Sequence, residues 1–396
     1  MARAFLRFVD RSFGKYLVRA VAAYEGMRTA LGGGRGRPAP GDGPGSRPLN
    51  ILVIKLVGLG DTVLMLTPLA HLRRRFPDAR ITALMTPLSA GILSVQPSVD
   101  ETVLYDVFGK DRGVGGILRI VRLLRDRKFD CVIDFEQHFH LTSILAYLTG
   151  APRRLGFYFN GSPRRRIFTD PVHINPDQHM VESYMDLIGP LGISRARVEE
   201  LERIRIPAGD AEYAGNWLEN HGVGQEDLLV GIHAGSGPRA PAKRWGIEKY
   251  AEVVRRLRDD LGAKVVLTGS RDERDLAAGV IELAGGEGVF NSSGELSIRQ
   301  TAALLARCRL FISNDTGPMH LAAALGTRTI GLFGPETPIR YGPVGKANRA
   351  VYAGIHCSPC VHIYAGVVND CAEGICMGAI EADDVWDAVL KSGVGG

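Results

Sequence analysis

Short apolar runs alternate with amphipathic segments along most of the chain, the pattern of buried strands separated by helices. In the first half, Ile51–Val57 is a near-continuous apolar run, and helical spacing follows from Thr62 to about Arg75. Further strand signals stand at Arg80–Met85, Thr102–Tyr105, Cys131–Ile133 and Arg154–Phe157, with helices near Ile117–Arg127 and Leu141–Leu148. Glu199–Gln225, which contains Pro207 and Gly209, reads as a connector. A second alternation then begins, with strands at Leu228–Ile232, Lys264–Thr268, Leu310–Ser313 and Thr329–Phe333. Its helices fall at Ile247–Leu261, Arg274–Ala284 and Ser297–Ala306. Such alternation predicts parallel sheets covered on both faces. No sequence repeat relates the halves, yet their architecture is the same. The expected fold class is α/β, with two doubly wound, Rossmann-like domains at residues 48–210 and 211–396. A ligand is expected in the cleft between the carboxyl ends of their strands.

The first 47 residues differ from the rest. Arg3, Arg7, Arg11, Lys15 and Arg19 recur every fourth residue, and Phe5, Val9, Phe13, Tyr16, Leu17, Ala20, Val21 and Tyr24 follow helical spacing. This predicts a basic amphipathic helix, followed by a Gly/Pro-rich linker over Gly32–Pro48. Such a helix either meets an anionic membrane surface or packs on its own protein. The charge balance points the same way. The net charge is +5, but residues 1–50 hold nine Lys/Arg against Asp10, Glu25 and Asp42, so the remainder is close to neutral. The basic balance therefore belongs to this segment and gives no reason to expect a nucleic-acid partner. With 45% hydrophobic and 23% charged residues, and no apolar run long enough to span a bilayer, the expected compartment is the cytoplasm.

The densest candidate chemistry lies in Leu310–Gly326, LFISNDTGPMHLAAALG. Here a strand runs through Asn314 and Asp315 into a helix with Pro318 in its first turn. Asp315 is an N-cap type, and the helix start offers backbone N–H groups that favour phosphate. Thr316 and His320 add a hydroxyl and an imidazole on the same rim. A simple capped helix fits the same residues.

Gly58-Leu59-Gly60-Asp61 also joins a strand to a helix, but it is not a dinucleotide fingerprint. Val63 occupies the third glycine position, and the second strand ends Leu84-Met85-Thr86 without an acid for a ribose. Gly60 allows close approach of a substrate, and Asp61 is either an N-cap or a general base for an attacking hydroxyl. His233-Ala234-Gly235-Ser236-Gly237, with Arg239, Lys243, Arg244 and Trp245 after it, reads as a phosphate grip with Lys243 as a point charge. Thr268–Glu273 ends the next strand within reach of a ribose or base. Phosphate grips in one half and an isolated carboxylate in the other suggest transfer from a nucleotide-activated donor.

These residues carry a resemblance. Lys55, Gly60-Asp61, Leu66-Thr67-Pro68 and Arg73-Arg74, then His233–Ser236 and Lys243-Arg244-Trp245, then Asn314–Ala324 and Phe333-Gly334-Pro335 resemble glycosyltransferase family 9. These are the ADP-heptose:lipopolysaccharide heptosyltransferases, and the likeness covers roughly residues 50–390. It implies a GT-B fold and an inverting transfer that needs no metal ion. By match to the family's motifs, Asp61 is the base that deprotonates the acceptor, and Ser236 and Lys243 hold the donor phosphates. Lys243 also stabilises the departing diphosphate. Asp315 contacts the donor sugar, and Thr316 and Gly317 bind the diphosphate with His320 nearby. Asp272 and Glu273 compete for the acidic position after Thr268-Gly269.

Glu136, His138 and His140 either line the acceptor side or simply cap the helix that follows them. Arg73, Arg74, Arg153, Arg154 and Arg164–Arg166 are further candidates to meet an acidic glycolipid. The expected partners are thus a nucleotide-sugar donor, a glycolipid acceptor and the inner face of an anionic membrane. Alternatives are another donor, a protein acceptor, or a relative that binds without turnover. Four of the six cysteines, Cys357, Cys360, Cys371 and Cys376, have the spacing of a structural zinc or iron knuckle. Reduced thiols without a metal are the alternative, and the family resemblance extends here to members with an iron-binding cysteine cluster.

Overall fold

The computed structural model describes residues 14–30, 49–195, 197–237, 240–360, 371 and 374–395. The chain forms two compact units, Met1–Arg197 and Val198–Gly396. Each is built on one six-stranded sheet whose strand pairs are all parallel.

The first sheet comprises β1 (Asn50–Lys55), β2 (Arg80–Met85), β3 (Glu101–Leu104), β4 (Cys131–Asp134), β5 (Arg153–Tyr158) and β6 (Asp170–His173). Its spatial order is β3-β2-β1-β4-β5-β6. The helices in order are α1 (Lys15–Ala30), α2 (Leu59–Leu64), α3 (Leu66–Arg75), α4 (Pro87–Leu93), α5 (Val114–Asp126), α6 (His140–Leu148) and α7 (Met180–Ile188). Leu52, Ile54 and Val132 pack with Ile120 and Leu124 of α5 and Leu145 of α6. The continuous apolar run of β1 has this cause: a central parallel strand is covered on both faces.

The second sheet comprises β7 (Leu229–His233), β8 (Lys264–Leu267), β9 (Val289–Asn291), β10 (Leu310–Asn314), β11 (Arg328–Phe333) and β12 (Arg349–Tyr352). Its order is β12-β11-β10-β7-β8-β9. Counted within each unit, both sheets have the doubly wound order 3-2-1-4-5-6, with the order reversing between β1 and β4 and between β7 and β10. The second unit's helices are α8 (Ala208–Asn220), α9 (Ile247–Leu261), α10 (Arg274–Ala284), α11 (Ile298–Arg307), α12 (Gly317–Leu325), α13 (Pro338–Tyr341), α14 (Ile375–Gly378) and α15 (Ala382–Lys391). On α9, Tyr250, Val253, Val254 and Leu257 recur at helical spacing and are buried against Val230, Ile232 and Val265.

Several elements depart from the sequence reading. The supposed connector contains α8, which buries Ala214, Trp217 and Leu218. Edge strands β6 and β12 are half-covered or exposed and lack an apolar run to announce them. The N-cap of α12 is Thr316 rather than Asp315.

Within the N-terminal segment, Phe5, Val9, Phe13, Arg3, Arg7 and Arg11, and the linker to Pro48, lie outside the described residues. Lys15–Ala30 is helical, but its apolar positions are divided between two faces. Val18 packs with Ile144 and Ile167, and Val21 with Tyr147 and Leu148 beside them. Tyr147 Oη donates to Glu25 Oε1 at 3.1 Å. The other face leaves Tyr16, Leu17, Tyr24 and Met27 exposed. Among the described residues, no helix is long and apolar enough to cross a membrane.

Candidate active site

Both candidate centres sit where the strand order reverses, the place at which parallel sheets splay their outgoing loops and leave room for a ligand. In the first unit the loops after β1 and β4 meet. Gly58 takes φ +91°, and a Cβ there would stand 2.8 Å from Asp61 Oδ2. A side chain at this position would displace the carboxylate. Asp61 lies in the first turn of α2 and makes no capping hydrogen bond. Its Oδ2 instead stands 3.3 Å from Lys55 Nζ, while the buried Oδ1 has no partner among the described residues.

Lys55, only 1% exposed, also donates to Glu136 Oε2 at 3.2 Å. Glu136 Oε1 accepts the backbone N–H groups of Leu56 and Val57 at 2.8 and 2.7 Å. At the end of β4, Asp134 Oδ1 accepts Glu136 N–H at 3.1 Å. Asp134 Oδ2 accepts Arg164 Nη2 and Thr142 Oγ1 at 2.8 and 2.9 Å. Burial raises the Asp134 carboxyl to about 7, against the pull of Arg164. Glu136 is therefore a buried hub that holds the turn after β1, a role that sequence spacing does not reveal.

The other first-unit candidates divide. Gly60 precedes Asp61 in α2. His138 is half-buried, its ring stacked on Phe159 with centroids 5.8 Å apart, and His140 opens α6. Arg154 is turned inward, donating to the carbonyls of Ile167 and Ala151 at 3.1 and 2.7 Å. Arg73 pairs with Asp100 at 2.6 Å and Arg153 with Asp170 at 3.2 Å. These arginines are spent within the unit, as charge runs often are.

In the second unit the loops after β7 and β10 are joined by Asn314, which is fully buried. Its amide nitrogen donates to the carbonyls of Ala234 and Gly235 at 2.9 and 3.0 Å. Its oxygen accepts Trp245 N–H at 3.2 Å and Tyr250 Oη–H at 3.0 Å. All its hydrogen-bonding capacity goes to aligning the phosphate-type loop with the start of α12. Lys243 Nζ pairs with Asp315 Oδ2. Ser236 Oγ donates to the Ala240 carbonyl at 2.7 Å and accepts Arg244 Nε–H at 3.2 Å. Arg239 lies outside the described residues.

Thr316 makes no side-chain capping bond at α12, and its Oγ1 lies 3.0 Å from Ser313 Oγ. Thr316 and Gly317 are half-buried at the positive end of the helix. His320 is buried one turn on, its ring 6.2 Å from that of Tyr341.

The two acids after β8 are unlike. Glu273 is buried, with Oε1 accepting Gly237 N–H at 2.8 Å and Oε2 accepting Ser270 N–H and Oγ–H, each at 2.9 Å. Burial alone would raise its pKa, but His233 and these bonds prevail and hold it below the usual range. Burial in turn lowers His233. Asp272 is exposed. The sequence reading also passed over Glu336, the first ionisable residue after β11, which is buried beside Asp315 and Lys243.

The cysteines are free thiols. Burial raises Cys376, with Cys360 and Cys357 adding to the shift. Among the described residues, however, no three His, Cys, Asp or Glu side chains form a group able to hold a metal ion.

The model of glycosyltransferase family 9 (heptosyltransferase) matches residues 117–366. The chain is 26% identical over 313 residues to lipopolysaccharide heptosyltransferase 2 of Escherichia coli K12, covering 76% of this chain and 88% of that protein. Among solved structures, a family 9 glycosyl transferase from Veillonella parvula superposes with a TM-score of 0.73 at 24% identity, covering 87% of this chain and 97% of that one. The dodecameric iron-containing heptosyltransferase TibC in complex with ADP-D-beta-D-heptose superposes with a TM-score of 0.53 at 17% identity, covering 88% and 78%.

Proposed function

Because the chain belongs to glycosyltransferase family 9 and is a glycosyltransferase, we propose that it moves a heptose from ADP-heptose to a hydroxyl of a lipopolysaccharide core. The lipopolysaccharide heptosyltransferase of similar length supports the acceptor, and the ADP-heptose complex of a fold relative supports the donor. The observation that carries the mechanism is Asp61, with one carboxylate oxygen tied to Lys55 and the other buried without a partner among the described residues. That oxygen takes the acceptor's proton. The acceptor oxygen then bonds to the anomeric carbon as the bond to the diphosphate breaks, inverting the configuration. Negative charge grows on the departing ADP, and Lys243, Ser236 and the Thr316 and Gly317 N–H groups meet it in place of a metal ion. Asp315 orients Lys243 and contacts the sugar.

The test follows nucleoside diphosphate release from ADP-heptose, UDP-sugars and GDP-sugars with a lipopolysaccharide-core acceptor. Release is expected from ADP-heptose, falling about 10²–10⁴-fold in Asp61→Asn with donor affinity retained. Undiminished turnover in that variant would overturn the base assignment, and turnover only with another donor would overturn the heptose.

The enzyme works in the cytoplasm at the inner face of an anionic membrane, in this reading. The exposed Tyr16, Leu17, Tyr24 and Met27 and the basic residues preceding them support it. Replacing Tyr16, Tyr24 and Met27 by Ser spares the packed face of α1. It is expected to cut cosedimentation with phosphatidylglycerol vesicles about tenfold, in line with the loss of buried apolar area. Unchanged cosedimentation would end the membrane reading. A structural zinc or iron at Cys357, Cys360, Cys371 and Cys376 rests on their spacing. The metal content of the purified protein tests it, and a metal-free, fully folded chain would rule it out.

A further inference from the structure

β10 and β11 run parallel in register, with Asn314 beside Leu332, and Asp315 N–H donates to the Leu332 carbonyl at 3.0 Å. Their outgoing segments therefore leave the sheet side by side. One is Asp315-Thr316-Gly317, at the start of α12, and the other is Gly334-Pro335-Glu336. Glu336 is only 2% exposed. Its Oε1 accepts Thr337 N–H at 3.0 Å, while its buried Oε2 has no partner among the described residues. The contrast with Glu273 is direct, since that carboxylate has both oxygens occupied. A buried carboxyl with an idle oxygen costs stability unless something else meets it.

We propose that Glu336 belongs to the donor site, where its carboxyl hydrogen-bonds the diphosphate of the bound nucleotide sugar. The inference rests on the donor assignment made above and adds a residue to it.

A carboxylate cannot donate to a phosphate oxygen, so this contact requires the acid form. The surroundings favour that form. Burial, with Asp315 adding to it, raises the Glu336 carboxyl to about 7 against the Thr337 N–H bond, Lys243 and Arg340. Among the described residues, those three are the charged groups that act on it, with His320 on α12 against Tyr341. An anionic diphosphate would hold the proton still more firmly. The sign of the linkage follows: where the free carboxyl is ionised, donor binding must take up a proton, so affinity falls as pH rises through about 7.

The experiment is equilibrium binding of ADP-heptose to the full chain at about pH 6 and about pH 8, where the doubly esterified diphosphate does not titrate. Wild-type affinity is expected to fall by up to about tenfold per pH unit above the carboxyl's midpoint. Glu336→Gln keeps a donor in the same place without a titrating proton. It should stay within about twofold of wild type at the lower pH and be nearly flat with pH. Glu336→Ala should bind about tenfold more weakly at the lower pH. If Glu336→Ala lowers the melting temperature too far, the near-isosteric Gln variant carries the test alone. A Gln variant that keeps the full wild-type pH dependence, or an Ala variant of wild-type affinity, overturns the role of Glu336 and leaves the donor site standing. A wild type that binds neither ADP-heptose nor ADP overturns both.

Discussion

The two units share one strand order and place their chemistry at the same reversal of it, yet the two centres are built on opposite principles. In the first, Lys55, Asp134, Glu136 and Arg164 form a buried charge network, which leaves Asp61 Oδ1 and two nitrogens of Arg164, Nε and Nη1, without a partner among the described residues. In the second, the polar groups converge on backbone. Asn314 ties two loops together, and the start of α12 stays uncapped. A base needs its carboxylate held in one orientation, which a buried charge network supplies. A diphosphate site needs positive potential and room, which a helix terminus and a half-buried Lys supply. Topology sets where a site falls, and the side chains after each strand decide what it does.

Exchanging the lysines breaks this contrast most sharply. Lys55→Met removes the cation between two carboxylates in the interior and is expected to cost about 3–5 kcal/mol of folding stability, read by denaturant unfolding. Lys243→Met takes away a lysine that is 19% exposed where Lys55 is 1% exposed, so its main effect should be on donor affinity, a loss of about tenfold or more by calorimetry. Equal stability losses in the two would dissolve the distinction. Smaller than the Lys55 effect, Asn314→Ala should cost about 1–3 kcal/mol through the buried groups it leaves unpaired. It should also weaken donor binding by misaligning the loop after β7. Lost stability with unchanged donor affinity would show that Asn314 supports the sheet alone.

Much of this was legible in the chain. Central strands β1, β7, β10 and β11 announce themselves because two covered faces demand unbroken apolar runs. The turns at Asp61 and Thr316 stand out because glycine and small polar residues interrupt those runs. Edge strands β6 and β12 have no such demand and left no trace. Nor did spacing reveal that Glu136 and Glu273 serve the backbone of neighbouring loops, since both bonds close over long sequence separation. For Arg154 the sequence showed a charge and the fold gave it carbonyls to bind. Glu336 was hidden for a different reason: its isolation is visible only once β10 and β11 lie side by side.

Gly334 gives the donor loop a mechanical dependence on the end of the chain. A Cβ at this position would lie 2.6 Å from Met377 Sδ and 2.8 Å from Cys376 Sγ. The Gly334 carbonyl accepts Ser358 Oγ–H, and the Pro335 carbonyl accepts Cys360 N–H at 2.9 Å. The strap that carries Glu336 is thus clamped between two pieces of the cysteine-bearing tail, with a sulfur atom as the gauge of its clearance. In the proposed donor site, the clearance around Glu336 is therefore set by a later segment of the chain.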